Sequence, residues 1–586
     1  MATVKISTFG GTVPAVDDRL LPENNAAFAR NVWLYSGALQ GFRTQRSVRT
    51  LANSSSCSVF RLPNSLSDGP HISDSYWLEF GSSFVDAMRT AVVGDQYERY
   101  YWAQQTAAPR YNTKARIKAG LPSYLLGVPA PPSTLTVTPQ VANADQLTET
   151  RSYVVTWVTE YGEEGPPCDP VTVSGWSGGT WVVGGMYPSS YTDRNITRKR
   201  IYRTVTSSQG VASYFFVTEL ANSATSYADT NLSTTITSNN QLASATWFGP
   251  PADLQGWVSM PNGIIAGWSG KEVWFCEPYR PHAWPSEYTV SSDYNIVGLG
   301  VQGQTLIVCT EGYPTAITGI NPASMSMAKV TTFEPCTSRG SIVSTPEGVY
   351  YASPNGLIRA ANGSFVNVTQ GAITKDKWQN LLRLQYLQAA RLGTGYYVFG
   401  VGAFGGFATT AFANSAFAMD DFSGAYSGLF IDPSNPQVTT TLCSDTPVLK
   451  VFNDPWSGEL MIIKDGQVYW VDVQSSDLAL RPYIWRSKIF QSNLPENFEA
   501  IKVYFDPAAS GTLSATGCSA LTGNTLGVIR VYADNNLVFT RELVTSGDQF
   551  RLPSGFKAQF WQIEIEARVK VYSVQMATSA KELRDV

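Results

Sequence analysis

The sequence has little charge and very little histidine. Asp, Glu, Lys and Arg make up 15% of its 586 residues, well under the usual quarter. The two histidines are His71 and His282. With 42 basic against 46 acidic residues the net charge is −4, and tight binding to nucleic acid requires a surplus of Lys and Arg. The balance therefore argues against a tight nucleic-acid binder, but not against a surface that DNA passes without sticking.

Long apolar runs and paired cysteines are also missing from the sequence. No run reaches the roughly 18 residues of a membrane span, and MATVKIST carries no hydrophobic segment of a secretory signal, so we expect synthesis in a cytoplasm. The cysteines are odd in number and none forms a C-x-x-C pair, which predicts buried free thiols in a reducing compartment. They are Cys57, Cys168, Cys276, Cys309, Cys336, Cys443 and Cys518.

Turn-forming and strand-forming residues are abundant. The chain contains 48 Gly, 33 Pro, 29 Tyr, 27 Phe and 16 Trp. This composition favours strands separated by turns over helices, and a chain of this length predicts two to four domains. We therefore predict an all-β protein with an irregular β-propeller core, an inserted immunoglobulin- or fibronectin-like sandwich and a C-terminal β-sandwich platform.

Changes of pattern along the chain predict four parts. Residues 1–130 contain short strands of the first propeller blades and end at a proline-rich stretch, VPAPPSTLTVTPQ. Residues 131–245 alternate at the spacing of a sandwich. Residues 246–480 repeat strand–turn–strand units, as propeller blades do. Residues 481–586 alternate again and predict the final sandwich.

One helix is predicted inside the third part. From Asp376 to Arg391 the residues Trp378, Leu381, Leu382 and Leu387 fall near one helical face. We interpret this as a helix that packs an apolar stripe on the neighbouring sheets.

Three glycine motifs match the residue pattern of a catalytic or cofactor-binding motif but lack the secondary structure that the motif requires. Gly175–Gly179 fits G-x-S-x-G, but the strand-like TWVVGG follows where a helix is required, so a hairpin turn is the better interpretation. Gly298–Gly303 and Gly400–Gly405 fit G-x-G-x-x-G. Neither is followed by the helix start that binds a pyrophosphate, and we predict no cofactor.

Carboxylates and histidines give no clear catalytic or metal site. A glycosidase needs two carboxylates facing each other across the sugar, and the candidates are Glu160, Glu163 and Glu164 in one turn and Asp420 with Asp421. We interpret these as solvated acidic turns. The two histidines have no Cys or His partner at the spacing of a metal site. We expect neither a metal site nor enzymatic activity.

Two family resemblances are carried by particular residues. Residues 131–245 resemble fibronectin type III-like modules of phage structural proteins, at Tyr153, Trp157, 160–166 and 202–204. The opening stretch resembles the tail tubular protein B, or nozzle, family of short-tailed phages. There a Gly-Gly turn is followed by an Asn before a hydrophobic residue and then by a Gly-Leu-x-x-Arg strand, which correspond here to Gly10-Gly11, Asn31-Val32-Trp33 and Gly37 to Arg43.

Two later passages support the nozzle resemblance, and one short passage departs from it. The supporting passages are VGDQYERYYW at 93–102 and YIWRSKIF at 483–490. The departure is Gln-Gly-Phe-Arg at 40–43, where a Lys-Arg-Pro ending is more typical of the family.

The nozzle resemblance implies a function and partners. It implies a virion protein of the tail, assembled in the host cytoplasm, with about six copies in a closed head-to-tail ring. The ring lies below the portal adaptor, carries tail fibres or spikes outside, and retains and then conducts the genome. The family-like structural positions are Gly10, Gly11, Asn31, Arg43, Trp485 and Arg486. The candidate loop that closes the channel contains Phe404, Phe407, Phe412 and Phe417.

Two alternatives from other classes stay open. A receptor-binding or polysaccharide-degrading tailspike would show the regular short coils of a β-helix, and the sequence has no such period. A carbohydrate-binding propeller of a bacterial surface would be expected to carry a signal peptide. The absence of a catalytic constellation and of such a signal favours the nozzle.

Overall fold

Antiparallel β-sheets account for almost all of the regular structure. The computed structural model describes residues 3–583 except 65–74, 83, 93, 106, 207–211, 382–383, 401–425, 436–437, 472–475 and 510. Strands make up 48% of the chain and helices 6%, so the all-β class predicted from composition is confirmed. Among the described residues no helix is long and apolar enough to cross a membrane.

The chain divides into two compact units. Unit 1 consists of Met1–Ser83, Glu311–Pro314 and Thr331–Val586, and unit 2 of Phe84–Thr310 and Thr315–Val330. The four-part division predicted from the sequence stays a prediction. Each unit is described by itself below.

The first part of unit 1 contains seven short strands. They are β1 Thr3–Ile6, β2 Ala26–Arg30, β3 Val32–Trp33, β4 Gln40–Gly41, β5 Arg46–Thr50, β6 Ser58–Leu62 and β7 Tyr76–Phe80.

Unit 2 contains the next nineteen strands, two short α-helices and three 3₁₀ turns. The first group is β8 Val85–Arg89, β9 Arg99–Gln104, β10 Ala107–Thr113, α1 Lys114–Lys118, β11 Tyr124–Leu125, β12 Thr136–Pro139, β13 Thr148–Thr159, β14 Val171–Trp176, β15 Trp181–Gly184, β16 Ile196–Thr206, β17 Ala212–Ala221, β18 Tyr227–Asp229 and α2 Ser233–Ile236. The second group is β19 Gln255–Ser259, β20 Ile265–Ser269, β21 Glu272–Phe275, β22 Thr289–Ser291, β23 Ile296–Gln302, β24 Thr305–Thr310, β25 Thr315–Thr318 and β26 Ser326–Lys329. The 3₁₀ turns are Ser244–Thr246, Pro261–Gly263 and Pro322–Ser324.

The second part of unit 1 supplies the remaining elements. They begin with the 3₁₀ turn Arg339–Ser341, β27 Val343–Thr345, β28 Gly348–Ser353, β29 Gly356–Ala361, β30 Ser364–Asn367, α3 Lys375–Leu381, the 3₁₀ turn Leu384–Tyr386, β31 Leu387–Leu392, β32 Gly395–Gly400, β33 Tyr426–Ile431 and β34 Thr440–Ser444. They end with β35 Lys450–Asn453, β36 Leu460–Lys464, β37 Gln467–Trp470, β38 Tyr483–Ser487, β39 Phe490–Glu496, β40 Ala500–Phe505, β41 Gly527–Ala533, β42 Asn536–Glu542, β43 Gln549–Arg551, β44 Ala558–Ala567 and β45 Val571–Ala577.

Two sheets of unit 2 lie within residues 131–245. One has the order β12-β15-β18 and the other β14-β13-β16-β17. A buried core formed by residues of both sheets joins them, and Tyr153, Trp181 and Ile201 are its large members. Alternating inward-facing residues of two sheets are how a β-sandwich closes its core.

The other sheets of unit 2, and one of unit 1, are four-stranded antiparallel meanders of consecutive strands. They are β8 to β11, β19 to β22, β23 to β26 and β27 to β30. Each pairs strands that are neighbours in the sequence, and several of the connections contain the Gly turns that are the local signal of such pairs. Their closure into a propeller stays a prediction.

Unit 1 is organised around a ten-stranded sheet built from distant parts of the chain. Its order is β31-β32-β33-β34-β2-β38-β44-β41-β42, with β39 paired to β44. Strand β2 therefore lies between β34 and β38. Strand β5 completes the sheet β35-β36-β37, and β1 forms the edge of β45-β40-β43. One apolar core is shared by the ten-stranded sheet and the β1 sheet.

The predicted helix at 376–391 is shorter than expected. Helix α3 ends at Leu381, and Leu387 belongs to strand β31. That strand pairs along its whole length with β32, from Leu387↔Gly400 to Leu392↔Gly395. The two strands form a hairpin across the turn at Gly393 and Thr394, and strand pairing overrides a short helical pattern. Trp378 is buried as expected and donates its indole N–H to Ser353 O at 2.8 Å.

The prediction of seven free cysteines is wrong for two of them. Cys443 on β34 and Cys518 form a disulfide across 75 positions of sequence. The other five cysteines are in no disulfide, and four of them are buried as predicted, whereas Cys57 is only partly buried. Only the fold brings β34 beside the segment that precedes β41, so cysteine spacing gave no signal of this pair.

The glycine motifs occupy turns and strands. The motif Gly175–Gly179 connects β14 to β15, which belong to different sheets, so it is a turn between sheets and the predicted hairpin is wrong. The motif Gly298–Gly303 lies in β23 and the turn to β24, which confirms the strand interpretation. Gly400 ends β32, and the rest of the third motif lies outside the described residues.

Candidate functional site

The six family-like positions lie at a junction between residues 9–43 and residues 441–486 of unit 1. We call this the β2–β38 junction, because strand β2 pairs with β38 through Ala29↔Trp485 and Phe28↔Arg486. Local sequence predicts β2 only weakly, since AAFAR contains one residue of strong strand preference, Phe28. Backbone pairing with the neighbouring strands on both sides supplies the remaining stabilisation of this strand.

Gly10 and Gly11 lie in irregular extended backbone where a turn was predicted, and bonds from both sides hold them. Gly10 N donates to Asn24 O at 2.7 Å, and Gly10 O accepts from the indole N–H of Trp485 at 3.0 Å. A Cβ on Gly10 would lie 3.2 Å from Asn24 O, so the backbone approaches closely there. Gly11 O accepts from Ala26 N at 3.1 Å. The two glycines are thereby fixed against the start of β2.

Asn31 joins three segments of the junction. Its N–H donates to Thr441 O at 2.8 Å and its carbonyl accepts from Phe42 N at 3.1 Å. Its side-chain oxygen accepts from Cys443 N at 2.9 Å. Its φ is 56°, a left-handed conformation that Asn tolerates better than most residues. The side chain is buried, so asparagine serves both the backbone conformation and the buried hydrogen bond.

Residues 40–43 run close beside residues 478–481. A Cβ on Gly41 would lie 2.1 Å from Arg481 O, because Phe42 O accepts from Arg481 N at 2.8 Å alongside it. The backbone of Arg43 forms an isolated β-bridge with Leu480. Its guanidinium donates to Leu478 O at 2.6 Å. The Gly allows the two segments to approach, and Arg43 ties them beyond that point.

Trp485 and Arg486 point to opposite faces of β38. Trp485 is fully buried and meets Phe9 edge-on, with the ring centroids 5.0 Å apart. Arg486 donates from Nε to Glu564 at 2.6 Å, and its guanidinium lies 5.1 Å from the centroid of the Tyr532 ring. Trp485 therefore packs in the apolar core, and Arg486 binds the neighbouring strand β44.

A buried acidic pair completes this anchor and was missed by sequence reasoning. Glu564 accepts from Arg530 at 2.7 Å as well as from Arg486. Glu566 accepts from Arg530 at 2.9 Å and from Ser519 Oγ at 2.8 Å. Residues i and i+2 of a strand share one face, so the sequence QIEIEA placed both glutamates together. It did not show that this face is covered.

The acidic turn at 160–164 differs from the predicted solvated turn. Glu160 is exposed, but Glu163 and Glu164 are buried. Glu163 pairs with Arg99 at 2.8 Å and Glu164 with Arg200 at 2.6 Å. Burial raises the pKa of Glu163, and the Arg99 charge opposes the shift. Both carboxylates are committed to ion pairs within unit 2.

The remaining candidates lie apart from the junction or outside the described residues. His282 is buried, and burial together with the charges of Arg280 and Arg99 lowers its pKa to about 3. Within the described ranges no group of three or more His, Cys, Asp or Glu is placed to hold a metal. The candidates outside the described residues are His71, Phe404, Phe407, Phe412, Phe417, Asp420 and Asp421.

The fold and the junction define a large all-β protein whose distant segments share one sheet. No protein-family model and no curated protein matches the chain. Solved structures with some likeness include BBS1N in complex with ARL6DN soaked with mercury, at 8% identity and a TM-score of 0.26, covering 68% of this chain and 94% of that one. The extracellular domain of the putative one component system BT4673 from B. thetaiotaomicron shows 12% identity and a TM-score of 0.25, covering 58% and 34%. TM-scores this low carry no inference about fold or function.

Proposed function

We propose that this chain is the structural subunit of a tail nozzle of a short-tailed bacteriophage. About six copies form a closed head-to-tail ring in the virion tail. The ring retains the packaged genome and conducts it outward during ejection. The observation that supports this most directly is that the residues carrying the nozzle resemblance, from Gly10 to Arg43 and at Trp485 and Arg486, meet in one hydrogen-bonded junction.

The β2–β38 junction suits a part that carries load. Strand β2 is flanked by β34 and β38 inside a continuous sheet, and β1 and β5 complete two further sheets whose other strands come from residue 450 onward. Displacing these early strands requires breaking backbone ladders and a shared core together. A subunit that holds a packaged genome benefits from such cooperative attachment.

The partners follow from the proposed ring. A portal adaptor protein binds above, and fibres or spikes attach outside. The sandwich within residues 131–245 serves as a docking face for fibres or neighbouring subunits, or as a spacer that widens the ring. The net charge of −4 gives a surface that repels DNA weakly on average, so that the genome slides.

Counting copies in purified particles tests the proposal. Quantitative mass spectrometry of particles that carry this chain measures its ratio to the portal protein. About six copies in the tail fraction support the nozzle. About three copies per fibre, or absence from the particle, reject it in favour of a tailspike or a free carbohydrate-binding protein.

A second experiment tests genome retention. Particles assembled with Trp485→Ala in place of the native chain should lose packaged DNA, because the substitution removes the core of the β2–β38 junction. Leu494→Ala is the matched control, since Leu494 is 73% exposed. Equal DNA retention by both variants and the native chain would remove the load-bearing role from the proposal.

A further inference from the structure

A long connection between β40 and β41 consists of irregular structure, turns and isolated bridges in its described residues. It runs from residue 506 to residue 526, beyond the roughly 12–15 residues at which connections without strands or helices become uncommon. Arg568 donates to Gly511 O and, at 3.1 Å, to Thr525 O. The residues between these two points form one surface loop, which we call the 512–524 loop.

Few contacts hold the 512–524 loop in place. The structure describes every residue of this loop, and only Cys518, Ser519 and Leu521 are buried within it. A small buried area and an exposed backbone are the features of segments that open locally while the rest of a protein stays folded. The closed position of the loop therefore depends on the bonds of its buried tip.

The tip of the loop bonds to a buried carboxylate. Ser519 Oγ and Ala520 N donate to the same oxygen of Glu566, each at 2.8 Å. Glu566 also accepts from Arg530 at 2.9 Å and is 1% exposed. The loop therefore covers the ion pair of Glu566 with Arg530, and opening breaks two hydrogen bonds to this carboxylate.

The disulfide ties the same tip to the β2–β38 junction. Cys518 precedes Ser519, and its sulfur is bonded to that of Cys443 on β34. Cys443 is held by its own backbone, because its N–H donates to the Asn31 side chain at 2.9 Å and its carbonyl accepts from Arg481 at 3.0 Å. One covalent bond therefore joins a loop with few contacts to a strand that is paired on both sides.

We propose that the Cys443–Cys518 pair is a redox latch. As a disulfide it closes the 512–524 loop over Glu566, and as two thiols it lets the loop open and admit water to Glu566 and Arg530. The compartments in which this happens rest on the proposed function, in which the chain is made in a reducing cytoplasm and the particle is released to an oxidising medium. The open form belongs to assembly and the closed form to the released particle.

The latch closes by thiol–disulfide exchange with a small-molecule disulfide, RSSR. The Cys518 thiolate attacks RSSR, which forms a mixed disulfide on Cys518 and releases RS⁻. The Cys443 thiolate then attacks the Cys518 sulfur and releases the second RS⁻. The two cysteine thiols lose two electrons and two protons, and RSSR becomes two RSH. The first attack belongs to Cys518 because it lies on the loop that opens, whereas Cys443 is fully buried on its strand.

Hydrogen–deuterium exchange of the full-length chain tests the latch. One sample is treated with glutathione disulfide and another with dithiothreitol, and alkylation after unfolding should count five free thiols in the first and seven in the second. Peptides that contain residues 516–521 should exchange at least about tenfold faster in the reduced chain, because the Ala520 N–H is protected only while the loop is closed. Strand β44 keeps its ladders to β38 and β41 and should change less than about twofold.

Three variants separate the latch from other effects of a reductant. Cys518→Ser should exchange like the reduced chain under both conditions. Cys57→Ser is the matched control, since Cys57 is partly buried and outside the disulfide, and it should keep the difference between the two samples. Ser519→Ala retains both cysteines and keeps the test decisive if Cys518→Ser folds poorly. It loses one bond to Glu566 and should speed exchange of the tip in the reduced chain but not in the oxidised chain.

Three results would overturn the latch. They are equal exchange of residues 516–521 in the oxidised and reduced chains, seven free thiols after treatment with glutathione disulfide, and an equal acceleration across all of unit 1, which would make the disulfide a general brace. None of them depends on the copy number in the particle. A chain present in about six copies whose loop ignores the reductant refutes the latch alone. A chain whose loop responds but which is absent from particles refutes the nozzle alone.

Discussion

Trp485 donates its indole N–H to the main-chain oxygen of Gly10 at 3.0 Å, although 475 positions of sequence separate the two residues. The same indole packs edge-on against Phe9. This contact fixes Gly10 on β38, which β2 also pairs with. Much of unit 1 depends on such distant pairs, and several can be tested directly.

Replacing Trp485 with Phe should separate the hydrogen bond from the packing. The ring stays apolar, but Gly10 O loses its buried donor, and we expect a loss of about 1–3 kcal/mol in the free energy of unfolding. Trp485→Ala also creates a cavity and should cost about 3–5 kcal/mol. Denaturant unfolding measures both variants. If Trp485→Phe were as stable as the native chain, the contact would contribute packing alone.

Asn31 combines a left-handed backbone with a side-chain bond to Cys443 N. Asn31→Ala loses the bond and places Ala at a positive φ, whereas Asn31→Gly loses only the bond. We expect both variants to be destabilised, and the Ala variant to be less stable than the Gly variant by about 1 kcal/mol. Thermal unfolding of the two proteins checks the order. The reverse order would show that backbone strain is unimportant at this position.

The disulfide between Cys443 and Cys518 closes a loop of 75 positions. Restricting the unfolded chain by a loop of this length stabilises the fold by about 4 kcal/mol in the chain-entropy description. Cys518→Ser should lower the free energy of unfolding by up to that amount. A reductant should destabilise the native chain and leave Cys518→Ser unchanged. A reductant effect of equal size on both proteins would contradict this assignment.

His282 should make unit 2 sensitive to acid. Its folded pKa of about 3 lies below the model-peptide value of 6.5, so the unfolded chain binds a proton between these values and the folded chain does not. Stability therefore falls as pH decreases from about 6.5 towards 3, by up to roughly 1.4 kcal/mol per pH unit. His282→Gln removes this contribution. Unfolding free energies at several pH values should show a shallower slope for the variant, and parallel slopes would contradict the prediction.

Local patterns predicted the class of the protein and several of its elements. Alternation identified the strands of the sandwich within residues 131–245 and the last long strand at 558–567, because a half-buried strand needs apolar residues at every second position. Glycines between successive strands indicated several turns of the meanders, because glycine adopts turn conformations at no steric cost. The same reasoning failed at residues 387–391, where an apolar spacing compatible with a helix is overridden by pairing with β32.

The candidate site was only partly accessible from the sequence. The resemblance selected Gly10, Asn31 and Trp485, but no local pattern showed that they meet. The burial of Glu163, Glu164, Glu564 and Glu566 was also hidden, since a carboxylate in a turn or strand is normally solvated. Each is paired with an arginine from a different segment, and such a pair is visible only once both segments are placed.

The amino-acid sequence by itself determined the all-β class, the positions of most turns and the alternating faces of many strands, because these depend on the residues within one short segment. The tertiary structure decided the place of β2 between β34 and β38, the partner of Cys443 and the pairing of Glu564 with Arg486 and Arg530. Those features depend on contacts between residues far apart in the chain, whose free energy is gained only when the intervening segments have folded.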